Sequence, residues 1–265
     1  MSEGKSKNKY EIDMCNGTIM DKLITFSVPL MLSSVLQLMF NAVDIIVVGR
    51  FSGSQALAAV GSTTALINIF VNLFIGISLG ANVLAARFYA LELKKEMSET
   101  VHTAMMLALA GGFFLIFVGV FFSSPMLGLM GTPDDVLPLA ALYLKIYFIG
   151  MPATLTYNFG AAILRAVGDT RRPLYFLLFA GAVNVVLNLV FVIAFSMGVA
   201  GVATATVVSE CISAVLIVQC LARSDSAYRL CREKMRITES KVKQIMKIGL
   251  PAGFQGAIFS VSNVL

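Results

Sequence analysis

Four stretches of the chain carry polar side chains at helical spacing in otherwise apolar surroundings, and they supply oxygen atoms rather than nucleophiles. Gln37, Asn41 and Asp44 fall at i, i+4 and i+7, a single stripe on one helix face. Asn184 and Asn188 stand one turn apart, and Thr206, Glu210 and Ser213 make a further stripe beside the small residues Gly201, Ala205 and Ser209. The small residues suit close helix packing. Thr64, Asn68 and Asn72 form another polar face. Ionisable groups inside apolar helices are costly and point by default to function. Asp44, Asn184, Asn188 and Thr206 together offer a carboxylate, two amide carbonyls and a hydroxyl. Such an all-oxygen set with one negative charge suits a hard monovalent cation. The same carboxylate could instead carry a proton. Gln37, Asn41, Asn68, Asn72 and Glu210 are candidates to line a substrate cavity. Glu210 is open to three readings: a second titrating group, a contact for a cationic substrate, or a hydrogen-bonded buried acid. Bland readings stand beside these, with Asp44 solvated at a helix end and the asparagines bridging helices.

Such groups need long apolar helices to hold them. The chain has 265 residues, 58% apolar and 13% charged, with a mean hydropathy of +0.85. A soluble domain runs at about 45–50% apolar and about 25% charged. About 20 apolar residues cross a bilayer as a helix, which predicts spans at 23–48, 56–80, 101–122, 138–161, 174–196 and 202–222, with a seventh opening near 245. The apolar runs are too long and continuous for outer-membrane strands. At about 1.5 Å per residue, Asp44 and Thr206 lie about 6 Å inside their spans, Asn188 about 12 Å and Asn184 about 18 Å. The four can therefore meet if the first, fifth and sixth spans are neighbours.

Eighteen of the twenty basic residues fall in the amino-terminal segment and the second, fourth and sixth connections. Lys5, Lys7, Lys9 and Lys22 lie in the first of these, and the sixth connection holds eight. Arg50 is left on the other side and Lys145 in or near a span. The positive-inside rule then predicts a multi-pass protein of the cell inner (cytoplasmic) membrane with a cytoplasmic amino terminus. Basicity arranged this way reports topology and anionic lipid, not nucleic acid. Residues 1–22 are too charged for a signal-peptide core. Cys15, Cys211, Cys220 and Cys231 suit neither zinc nor a disulfide framework. His102, the single histidine, has no companion for a transition metal and is expected to be structural. Adjacent Asp134 and Asp135 read as turn residues, so an enzyme is not expected.

Sliding the chain by 222 residues aligns 23–43 with 245–265, setting Pro29 on Pro251 and Asn41 on Asn263. Six spans return the chain to its starting side, so a second unit would begin in the same orientation. The expected organisation is a cytoplasmic segment 1–22, a six-helix transmembrane lobe 23–222, a basic cytoplasmic linker 223–244, and a truncated seventh helix 245–265 opening a second repeat.

The same residues carry a family resemblance. SVPLMLSSVLQLMFNAVDIIVVGRFSGSQALAAVG (27–61), GISLGANVLAARFYA (76–90), AAILRAVGDTRRPLY (161–175) and NVVLN…GVAGVATATVVS (184–209) resemble the multidrug and toxic compound extrusion (MATE) transporters, in order and at matching spacings. The resemblance implies an all-α polytopic membrane protein, the six-helix amino-terminal lobe of a twelve-helix transporter. It implies secondary antiport that exports organic cations or other amphipathic drugs against sodium or proton entry, with no cofactor beyond the coupling ion. It maps a cation site onto Asp44, Asn184, Asn188 and Thr206. Some relatives carry Asp where this chain has Asn188, so one acid is missing here, and Glu210 has no inherited role. Expected partners are small amphipathic or cationic molecules, the bilayer, and the missing carboxy-terminal lobe or a second copy. Two other readings stay open: a lipid-linked saccharide flippase, which would want a more basic cavity, and a fragment inactive on its own.

Overall fold

The computed structural model describes residues 18–262, which are all-helical with short connections. Lys5, Lys7, Lys9, Cys15 and Asn263 lie outside the described residues. In chain order the helices are α1 (Ile19–Phe51), α2 (Ser54–Ala90), α3 (Lys94–Leu129), α4 (Leu137–Ile149), α5 (Met151–Ala166), α6 (Arg171–Leu189), α7 (Gly198–Ala222) and α8 (Glu239–Ser262). Five are long and apolar enough to cross a membrane, six when α4 and α5 count as one bent span. The protein is therefore a multi-pass membrane protein. One end of the bundle, the linker end, carries the α2–α3, α5–α6 and α7–α8 connections; the α1–α2, α3–α4 and α6–α7 turns lie at the opposite end.

Three boundaries differ from those expected. The fourth span is not one helix over 138–161, because it breaks at Gly150 with a bend of 48°. Pro152 has no N–H to continue the ladder, and its backbone lies where a side chain on Gly112 of α3 would be. The helices also run past the apolar stretches. Arg87 falls in the last turn of α2, Lys94 and Lys95 open α3, and only 91–93 remain between them. Basic side chains can reach interfacial water from within a helix, so charge marks the membrane boundary earlier than the helix end. Finally, the linker of 223–244 ends at 238, where α8 begins. Pro29 and Pro251 both lie inside their helices, α1 and α8.

Lipid is as apolar as leucine, so helices in a bilayer associate through close packing and small residues. The interior follows that rule. On α3, Gly111, Gly112 and Gly119 receive Phe74, Pro152 and Phe148 respectively. α5 runs through the middle, with Met151, Leu155, Phe159, Ile163 and Leu164 inaccessible. Asn82 Nδ2 of α2 donates to the Ala162 carbonyl of α5 at 2.6 Å. Phe113, Phe117 and Phe121 of α3 point outward instead. α1 is the least covered of the membrane-length helices.

The strap 223–238 is folded against the linker end. His102 is buried, its Nδ1 is 2.6 Å from the Ser98 carbonyl and the Cys231 N–H donates to its Nε2 at 3.0 Å. The structural role expected of His102 is thus a concrete one: it anchors the strap to α3. The Thr238 N–H donates to Thr103 Oγ1 at 3.2 Å, Lys241 pairs with Glu96, and the Lys241 ammonium sits 4.1 Å from the centre of the Phe88 ring.

Two glycines turn the chain where a side chain would be resisted. Gly53 (φ 89°) closes the two-residue turn between α1 and α2, and Gly168 (φ 86°) leads from α5 to α6. The residue after it, Asp169, accepts from the Arg172 N–H at 3.1 Å and pairs with the Arg172 guanidinium. Burial pushes the Asp169 carboxyl above its ordinary range, and Arg172 draws it back.

A candidate cation site between three helices

Four side chains from α1, α6 and α7 converge because one contact sets the register of two helices. The Phe40 ring of α1 lies where a side chain on Gly181 of α6 would be. Asp44 follows Phe40 by one turn and Asn184 follows Gly181 by just under one, so seating the ring on the glycine brings the next turns together. Asn188 Nδ2 donates to Asp44 Oδ1 and, at 3.1 Å, to Asn184 Oδ1. Asn184 Nδ2 reaches Thr206 Oγ1 of α7 at 3.4 Å. Thr206 gives its own proton to the Val202 carbonyl at 3.0 Å, so the hydroxyl oxygen faces the cluster as an acceptor.

Burial sharpens the picture. Asn188 is inaccessible, Asn184 is nearly so, and Asp44 is half-buried. Asn188 Oδ1 is buried without a hydrogen-bond partner. Such an orphan acceptor costs about 1–3 kcal/mol, and here it stands in the side chain that donates to both Asp44 and Asn184. Just beyond Asn188 the α6 ladder widens into a π-helical segment, Val190–Ala194. Such widened turns recur at functional sites.

The structure distributes the other candidate residues. Glu210 is half-buried one turn along α7 from Thr206, with Ser213 Oγ 3.5 Å from its Oε2. Gln37 and Asn41 are exposed on α1. Asn68 and Asn72 lie in a groove between α2 and α8. Lys145 is half-buried in α4 and Arg50 falls in the last turn of α1.

Two features escape the sequence reading. Tyr143 and Tyr147 of α4 are stacked with ring centroids 6.2 Å apart, and Tyr143 is buried. Their i, i+4 spacing in an apolar run was the available signal. Gln255 and Ser260 of α8 line the α2–α8 groove, and Asn72 Nδ2 donates to Ser260 Oγ at 2.7 Å. Nothing in the spacing along α8 pairs it with α2.

A membrane bundle with an oxygen-lined cluster in its interior is the architecture of a transport protein lobe. The family model MatE matches residues 29–190, and the chain belongs to the MATE family of transporters. It is 30% identical over 258 residues to the probable multidrug resistance protein YpnP of Bacillus subtilis, covering 96% of this chain and 58% of that protein. It is 28% identical to the probable multidrug resistance protein YoeA of the same organism, covering 90% and 53%. An outward-facing multidrug resistance MATE transporter superposes with a TM-score of 0.89 at 23% identity, over 97% of this chain and 57% of the other. The chain spans just over half the length of the curated relatives it matches.

Proposed function

We propose that the chain is the cation-binding lobe of an antiporter that exports amphipathic drugs and organic cations in exchange for sodium. The observation that carries this reading is the orphan Asn188 Oδ1, buried in the side chain whose Nδ2 donates to Asp44 and Asn184. A sodium ion takes several oxygen lone pairs at once and would satisfy it. A proton on Asp44 adds one O–H donor and so serves a single acceptor, whereas sodium takes several oxygens at once, which is why sodium is the better fit of the two coupling ions. The relatives' names, which speak of multidrug resistance, support the cargo class. The basic residues support a cytoplasmic linker end and amino terminus in the inner membrane. The cleft in which cargo crosses would form between this lobe and a second one.

In the intact transporter reconstituted in vesicles, an imposed sodium gradient should drive drug efflux. Asp44→Asn should reduce that flux at least a hundredfold. Sodium-driven flux unchanged by Asp44→Asn would refute the coupling.

A further inference from the structure

Three helices set a second layer of side chains against the Asp44 cluster, on the side away from the linker end. One turn beyond Asp44, Val48 is inaccessible; one turn beyond Asn188, Val192 is nearly so; one turn before Thr206, Val202 is inaccessible. α1, the π-helical segment and α7 pack against one another, and the three valines belong to one buried core. The Val202 carbonyl, which accepts the Thr206 proton, ties the two layers together.

A further turn out, the side chains part around a cavity of about 360 Å³. Its walls come from α1, α2, α4, the π-helical segment and the turn into α7. Ser52 lies eight residues from Asp44 and Gly198 eight from Thr206, which sets the cavity about 12 Å beyond the cluster. Among its lining residues Ala56, Val192 and Val199 are buried, whereas Phe51, Ser196 and Met197 are exposed. It therefore reaches from the valine layer to the surface. At about 30 Å³ per water it has room for about twelve, enough to carry a monovalent ion in its hydration shell. Ser52 Oγ, in its wall, is buried without a hydrogen-bond partner among the described residues. None of the described lining residues is ionisable, so nothing there holds an ion for long, and the cavity suits passage rather than storage.

The backbone beside it is irregular. Val192 stands in the π-helical Val190–Ala194, the Phe195 N–H donates to the Val190 carbonyl at 3.1 Å, and Ser196 follows at φ 52°. That left-handed conformation is one a residue with a side chain resists. A π turn that tightened to α would rotate Val192 about the helix axis relative to Asn188. Val48 and Val202 stand on α-helical turns and would stay in place. Apolar constrictions stop ions by excluding water, so the layer opens when Val192 withdraws.

We propose that this cavity is the vestibule through which the cation reaches the Asp44 cluster, with Val48, Val192 and Val202 as its gate. This rests on the reading of that cluster as a cation site and adds the route into it. The ion passes through the lobe itself and not by way of the cleft between two lobes.

The test uses silver(I), a monovalent cation that bonds to thiols, on the intact transporter freed of its own cysteines. Val48→Cys and Val202→Cys, made separately, each place a thiol in the valine layer. Silver nitrate in chloride-free buffer is applied to either face of sealed membrane vesicles. Reaction is read as loss of labelling by a fluorescent maleimide after denaturation. Both cysteines should react at least tenfold faster from the face that carries the α6–α7 turn. Ala200→Phe, which fills the cavity from α7, should slow both at least tenfold and leave equilibrium sodium affinity within twofold. Ser52→Leu, which fills it from the end of α1, should do the same, and an unchanged thermal midpoint reports an intact fold in each. Equal rates with the cavity filled, faster reaction from the linker face, or no reaction at either cysteine overturns the proposal. Silver reacts whether or not sodium binds, so these outcomes are independent of the Asp44→Asn flux result.

Discussion

Thr206 gives its hydroxyl proton to the Val202 carbonyl, and that bond decides how it can serve a cation. The oxygen is left to accept from Asn184 Nδ2 at 3.4 Å. Thr206→Val keeps the shape and removes one neutral oxygen. The expected result is sodium affinity about tenfold weaker, or ~1.4 kcal/mol, with the thermal midpoint in the absence of sodium nearly unchanged; titration of the purified protein checks both. Asp44, Asn184, Asn188 and Thr206 were legible as a group because helical rise fixes depth once span ends are known. Depth is one coordinate only. It says nothing of which face a residue turns to, so Asn68 and Asn72, of equally suitable type, could be assigned to the same interior as Glu210 when they line a groove of their own. The orphan oxygen on Asn188 was not legible at all, since it depends on three helices meeting.

At the scale of the helix, small residues set the azimuth that the sequence pattern leaves open. Gly181 admits the Phe40 ring and thereby aligns α1 with α6; Gly76 and Gly80 admit the backbone of α8. Gly181→Val should force the ring out, lower stability by about 1–3 kcal/mol and weaken sodium binding, because Asp44 would lose its register with Asn188. Gly128→Ala is the control, since its Cβ direction meets open space, and it should leave the melting curve and sodium affinity as they were. The long apolar runs made six spans readable, but the break at Gly150 was not. A proline in a membrane helix is often absorbed, and what turns Pro152 into a 48° bend is its seat against Gly112 on a different helix. The fold class and family were plain in the chain's own residues, whereas the contacts that aim the side chains are non-local.

For the whole molecule, the basic residues predict which side each end faces. In an otherwise cysteine-free background, Asp135→Cys at the opposite end should react with a membrane-impermeant thiol reagent on intact cells. Asp225→Cys, in the strap, should react only after the membrane is opened. The reverse pattern would invert the proposed direction of export. The strap, held through His102 and Thr103, and the Lys241–Glu96 pair at the start of α8 join α8 firmly to the lobe. Movement between α8 and the rest must therefore start beyond these anchors, or break them. Stability, topology and silver access can all hold while the central claim fails, because none of them requires the Asp44 cluster to take an ion. Titrating sodium into the purified intact transporter at constant pH asks that question directly. The account predicts saturable binding that competing potassium does not reproduce and that Asp44→Asn and Asn188→Leu each abolish. Sodium binding that persists in both variants, or none at all in the unaltered protein, would contradict it.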